Sequence, residues 1–147
     1  MITFTDKIKG DVIIRILKRG EDIYKALFDL AEEYDISAGF FNMIGAVSYA
    51  VIGYFDDKTK EYKKRIFEKD MEIVSCMGNF SRKADGSRVV HAHIALGDEN
   101  GNLYGGHLFE GTLAGATGEI FAVKLEKTLI REKDEETQLF LIKKQKE

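Results

Sequence analysis

"VVHAHIALGDENGNLYGGHLFEG", residues 89–111, holds all 3 histidines of the 147-residue chain: His91, His93 and His107. Apolar residues alternate on either side of Asn100-Gly101, a strong hairpin signal, so the stretch reads as two strands joined by a tight turn. Alternate side chains of a strand share a face. Val89, His91, His93 and Ala95 therefore lie on one side, and Val90, Ala92, Ile94 and Leu96 on the other. Two strand rises put the Cα atoms of His91 and His93 about 6.6 Å apart, a suitable span for two ligands of one ion.

His107 joins them only if the turn has the right parity. A two-residue Asn-Gly loop would pair residue 99 with 102 and set His107 opposite Ile94, on the wrong face. A three-residue loop centres a type I turn on Glu99 and Asn100, with Gly101 left-handed in a G1 bulge. Asp98 and Gly101 then occupy the first and fourth turn positions, where both are favoured. Residue 98 pairs with 102 in that register, and His93 faces His107 with Cβ atoms roughly 4.5–5.5 Å apart. A bulge at Gly105-Gly106 would satisfy the same parity, or these glycines let the backbone approach another element. The sequence therefore predicts a metal centre of His91, His93 and His107; a hydrogen-bonded histidine cluster is the alternative reading.

The remaining chain supplies a sheet for this hairpin. "DVIIRILK" (11–18) is β-branched and reads as a strand. "RGEDIYKALFDLAEEYDIS" (19–37) changes period: Ile23, Leu27, Leu30, Ala31 and Tyr34 recur at helical spacing, which predicts a helix over about 21–34 with Glu21 and Asp22 at its N-terminus. "AGFFNMIGAVSYAVIGYFD" (38–56) reads as two apolar runs, with Gly45 and Gly53 marking bends or close backbone approach. "EYKKRIFE", "MEIVSCMGNF", "GEIFAVKLE" and a last "TQLFLIKK" add strands. The expectation is an α+β fold, one domain spanning residues 1–147, with one main helix and a mostly antiparallel β-sheet of about eight strands. "GEIFAVKL" is apolar on both faces, so its strand needs cover on each side, from the chain's own helix or from a neighbouring subunit.

Composition narrows the functions. The chain is 44% hydrophobic and 32% charged, as in an ordinary globular protein, and its net charge of −3 provides no general field for nucleic acid or an anionic membrane. "KEYKKR" (60–65) is the one basic run; it reads as lysine protection of a strand edge, and otherwise as a phosphate-binding face. The single cysteine, Cys76, cannot form an internal disulfide, and the N-terminal "MITFTDKIKGDV" lacks the apolar core of a signal peptide. No stretch reaches the roughly 18 apolar residues of a membrane span. A cytoplasmic location is expected.

At these residues the chain resembles the PPC (plant and prokaryote conserved) domain family. The early strand followed by "RGEDI" (19–23), "IGAVSYAVIGYFD" (44–56), "MGNF" (77–80), "HAHIALGDENGNLYGGHLFEG" (91–111) and "TGEIFAV" (117–123) carry the resemblance, the last two most specifically. It implies a homotrimeric α+β fold with a central antiparallel sheet. Plant members are nuclear proteins in which the domain follows AT-hooks, and prokaryotic members are commonly labelled DNA-binding by that association. The His-x-His and Gly-Gly-His pattern is also similar to the zinc-binding stretch of acetolactate decarboxylase; that likeness implies His91, His93 and His107 as zinc ligands. The enzyme's catalytic arginine and glutamates have no match here, so the decarboxylation itself does not carry over.

Three neutral imidazoles leave a divalent ion its full charge and an open coordination position, unlike closed, cysteine-rich structural zinc sites. Zinc is the expected cofactor, with iron, nickel or manganese as substitutes that imidazole tolerates. An acid/base partner is also needed. Glu119 is the candidate catalytic residue because a carboxylate there shares a strand face with Phe121 and Val123; Glu110 is second, and an ordinary salt bridge accounts for either. The sequence thus points to a homotrimer with a three-histidine metal site that binds or transforms a small molecule, either as a binding protein or as a metal-dependent enzyme. DNA binding is the alternative, although the chain has 0 prolines and hence no Arg-Gly-Arg-Pro AT-hook core. A trimeric interaction module without catalysis is the third reading.

Overall fold

The computed structural model describes residues 10–143; the first residues of "MITFTDKIKGDV" and the last residue of "TQLFLIKK" lie outside them. Among the described residues nine strands and one helix follow in order: β1 (Gly10–Leu17), α1 (Ile23–Glu33), β2 (Gly39–Asp56), β3 (Glu61–Phe67), β4 (Met71–Lys83), β5 (Arg88–Gly97), β6 (Leu103–Leu108), β7 (Leu113–Leu125), β8 (Ile130–Lys133) and β9 (Phe140–Ile142). The architecture is α+β with a mostly antiparallel sheet. Among the described residues the β4–β8 pairing is the parallel one.

The helix begins where its cap is. Asp22 is extended (φ −74°, ψ 118°) and its carboxylate accepts the Lys25 backbone N–H at 3.0 Å. Its second oxygen accepts from the Gly111 amide at 2.7 Å, tying the helix start to the β6–β7 connection. Asp35 ends the helix in a left-handed conformation (φ 48°), and the Ile36 amide donates back to the Ala31 carbonyl at 2.9 Å. Ile23, Leu27, Leu30 and Ala31 are buried, each larger side chain contributing about 1.5–3 kcal/mol by leaving water. Tyr34, expected on the same face, is instead the C-cap residue and is 41% exposed, because the chain leaves the helix before its side chain can turn inward.

The two apolar runs of residues 38–56 form one 18-residue strand, β2. At Gly45 (φ 134°) the registers against β4 and β7 both shift, which bends the strand without ending it. A Cβ there would sit 2.2 Å from the Thr117 carbonyl oxygen. β2 pairs with β3, β4, β6 and β7, so the hydrogen-bonded circuit β2–β4–β5–β6 closes on β2 itself. β1 pairs with β7, and β9 with β8, at the far ends of the sheet.

The inward face of the curved sheet and α1 enclose a core that includes Phe41, Met43, Phe80, Leu96, Leu108 and Ile120. The opposite face is apolar as well. Val12, Ile14 and Ile16 of β1 are 68%, 59% and 59% exposed, and Phe40, Ile44, Met77 and Phe121 continue the patch across β2, β4 and β7. On β7, Ile120 and Ala122 are buried while Phe121 is exposed; among the described residues only one side of this doubly apolar strand is covered. No helix among the described residues is long and apolar enough to cross a membrane.

Candidate metal centre

The hairpin has the three-residue loop. The Gly101 amide donates to the Asp98 carbonyl at 2.9 Å, the Asp98 amide donates to the Asn102 carbonyl at 3.0 Å, and Gly101 has φ 79°. Asp98 fixes this turn from within. Its carboxylate accepts from the amides of Asn100 (3.0 Å) and Asn102 (2.9 Å), from Asn102 Nδ2 (3.2 Å) and from the Tyr104 hydroxyl (3.3 Å). Burial opposes its charge, but the donors from Asn102 and Asn100, with Lys69 nearby, hold its carboxyl down at about 2.

With that turn, His93 pairs with His107 across β5 and β6. The odd register comes from the loop and not from Gly105-Gly106, which pair regularly with Ala95 and Ile94. Close approach is what Gly106 provides: a Cβ on it would lie 2.5 Å from the Gly53 carbonyl oxygen of β2. Gly53 in turn stands opposite His107, and the space its side chain would fill is taken by the Phe109 ring.

The three imidazoles converge. Ring centroids are 5.2 Å apart for His91–His93, 5.2 Å for His91–His107 and 5.6 Å for His93–His107. One ring nitrogen of each lies within 4.8 Å of the other two. Tyr62 and Phe109 wall in His107, at centroid distances of 4.8 and 4.9 Å. Burial, and then its neighbours His91 and His93, push the His107 pKa down to about 4. Burial, Arg131 and His93 lower that of His91. Both rings are therefore neutral at pH 7, the state in which imidazole offers a lone pair to a metal. His107 Nδ1 is a buried polar atom without a hydrogen-bond partner among the described residues, a costly condition that a bound cation relieves. The donor set and this orphaned nitrogen fit a divalent ion.

Arg131 also reaches the cluster, although β8 is not legible as a strand in the sequence. The residue is 5% exposed. Its Nε donates to Ser81 Oγ at 2.8 Å, Nη1 to the Phe140 carbonyl at 2.7 Å and Nη2 to Asn79 Oδ1 at 2.8 Å, and Nη2 stands 3.4 Å from His91 Nδ1. Two depressions flank the histidines. One, of about 240 Å³, lies between His91, His107 and the β8–β9 hairpin. The other, of about 550 Å³, is bounded by Phe40, Asn42, Met77, His91 and His93.

The carboxylate candidates lie elsewhere. Glu119 stands on β7 between Ile16 of β1 and Ile44 of β2, and lines neither depression. Glu110 forms an exposed ion pair with Lys25 at 3.0 Å. The basic run lies largely on β3, which pairs only with β2 among the described residues, as the edge-protection reading expects. Lys60 and Lys63 pair with Asp57 and Asp56, while Lys64 stacks on Phe109 and Arg65 on Phe67 and Tyr104.

The Plants and Prokaryotes Conserved (PCC) domain matches residues 5–126. Among solved structures, a metal-containing protein of Archaeoglobus fulgidus is 36% identical, with 98% of this chain and 100% of that one covered and a TM-score of 0.84. A plant- and prokaryote-conserved protein of Pyrococcus horikoshii is 30% identical, with 98% and 99% covered and a TM-score of 0.84. A Bacteroides thetaiotaomicron protein to which DNA binding is ascribed is 28% identical, with 93% and 94% covered and a TM-score of 0.84. A Staphylococcus aureus protein described as similar to α-acetolactate decarboxylase matches at 12% identity and a TM-score of 0.56, covering 85% of this chain and 56% of that one, a likeness of fold alone. Residues of the chain also align with part of the bifunctional protein GlmU of Synechococcus, at 32% identity over 120 residues; the chain spans only 18% of that protein's length.

Proposed function

Because this chain belongs to the Plants and Prokaryotes Conserved domain family, we propose that it acts as one domain in a homotrimer, each protomer holding a divalent metal, zinc first, on His91, His93 and His107. The site binds or transforms a small molecule. The observation that carries this reading is the convergence of three ring nitrogens within 4.8 Å of one another, one imidazole having a buried nitrogen with no partner. The metal-containing relative from Archaeoglobus fulgidus supports it.

A divalent ion on neutral imidazoles supplies Lewis acidity, polarising a ligand oxygen or lowering the pKa of bound water. The chain's own residues do the rest. Tyr62 and Phe109 exclude water from one side of His107, and the Asp98 turn holds β5 and β6 in register. The exposed apolar face gives the trimer its interface. Glu119 lies on that face between Ile16 and Ile44, and its role as acid/base candidate is proposed through the neighbouring protomer that covers it. Cys76 is buried, and its thiol pKa is pushed up to about 12, which suits a reduced cysteine and the proposed cytoplasmic location.

Metal analysis of purified protein tests the site. About one zinc per chain is expected in the wild type and loss of at least tenfold in affinity in His91→Ala and His107→Ala; equal metal content in all three would overturn the assignment. The resemblance to the Bacteroides thetaiotaomicron protein favours DNA as a second reading, but the net charge of −3 and the pairing or stacking of the β3 cations weigh against phosphate contact. Absence of duplex binding even at low salt would remove it.

A further inference from the structure

The cavity between the histidines and the β8–β9 hairpin has an uncompensated charge. Arg131 is buried, yet it forms no ion pair among the described residues; its three close acceptors, Ser81, Asn79 and the Phe140 carbonyl, are neutral. Buried charges in folded proteins are ordinarily paired. Lys83 lines the same cavity, stacked 4.3 Å over the Phe140 ring, and its electrostatic influence reaches the exposed Asp85. Among the described residues no carboxylate lines the cavity.

The contact with His91 points the same way. An imidazole that ligates a metal through one nitrogen carries a proton on the other, and that N–H ordinarily donates to a carboxylate, carbonyl or water. Beside His91 Nδ1 stands a guanidinium, which can only donate. With metal on Nε2, two donors would face each other. An oxyanion accepting from both resolves the conflict and neutralises Arg131. The rest of the lining, including Leu139, Phe140, Leu141 and Tyr62, is apolar or aromatic, which favours an anion with a hydrocarbon body over a free inorganic one. At about 240 Å³ the cavity falls below the usual size for a drug-sized ligand.

We propose that this cavity binds a small organic carboxylate, its carboxylate group on Arg131 and Lys83 and its apolar body against Phe140, Leu141 and Tyr62. The His91 argument rests on the metal reading above, whereas the unpaired buried charge does not. Arg131, Phe140 and Leu141 lie on the β8–β9 hairpin, beyond the family-matched residues 5–126, whereas Lys83, Tyr62 and His91 lie within them.

Calorimetric titration with benzoate and, separately, inorganic phosphate at pH 7.5 and low salt tests the proposal on metal-free and zinc-loaded protein. Benzoate should bind both forms saturably and more tightly than phosphate. Arg131→Gln should weaken benzoate at least tenfold in the metal-free and the zinc-loaded protein alike, and Lys83→Met several-fold. Benzoate binding equal in wild type and variants, absent altogether, or matched by phosphate would overturn the proposal. Should Arg131→Gln fail to fold, Lys83→Met and Arg131→Lys decide by the same criterion. Failure of the metal reading shows separately, as a wild type that takes up no zinc while metal-free protein still binds benzoate.

Discussion

At the scale of single residues, two hairpin glycines do different work and their replacements should fail differently. Gly101 has φ 79°, and nothing lies within 4 Å of the place a methyl would occupy, so Gly101→Ala meets only backbone strain, about 1–2 kcal/mol. Gly106→Ala would drive a methyl to 2.5 Å from the Gly53 carbonyl, and rigid backbone cannot yield as a side chain does. Overpacking of this kind costs roughly 1–3 kcal/mol. Because β6 must then back away from β2 with His107 on it, Gly106→Ala should also weaken zinc binding, whereas Gly101→Ala should leave it near wild type. Urea melts paired with zinc titration check both halves of the contrast.

The hairpin as an element depends on Asp98, and this dependence has a pH signature. Asp98 titrates at about 2 in the fold against an ordinary 3.8. A depressed carboxyl stabilises fully above its unfolded pKa and loses that contribution as pH falls through the folded one. The wild type should therefore lose hairpin stability between about pH 4 and pH 2, and Asp98→Asn should lack that part of the acid transition; thermal melts across this range decide. Elements such as this are readable because their chemistry is local: Asp98, Asn100 and Gly101 specify the loop, and the loop specifies which histidines meet. The helix is legible from its period, its expected end at about 34 meeting the C-cap at Tyr34, although the left-handed Asp35 beyond it is held by Arg82 and Arg88 from distant strands, which no local pattern shows. β8 is illegible for the same reason. "IREK" has no apolar alternation of its own and is held by Arg131 reaching Ser81 and Asn79 on β4, contacts that no window of sequence contains. The two apolar runs of residues 38–56 join into one strand at Gly45, which the sequence marks as a bend or close approach and which is both.

For the whole molecule, the uncovered sheet face is the dominant feature. Ile14, 59% exposed in the centre of β1, is placed to report on it. The proposed trimer should run in sedimentation as three times the 16.6 kDa chain, and Ile14→Asp should shift it to monomer with the far-ultraviolet spectrum unchanged, because the position contributes little to the chain's own core. A wild type that is monomeric would remove the trimer. β2 ties the molecule together in another sense. One continuous ribbon sets the alignment of four neighbours at once, so lengthening it by a single amino acid would reverse inside and outside against several partners together. A change of length in this chain is therefore best borne by the connecting loops, where no such reversal follows.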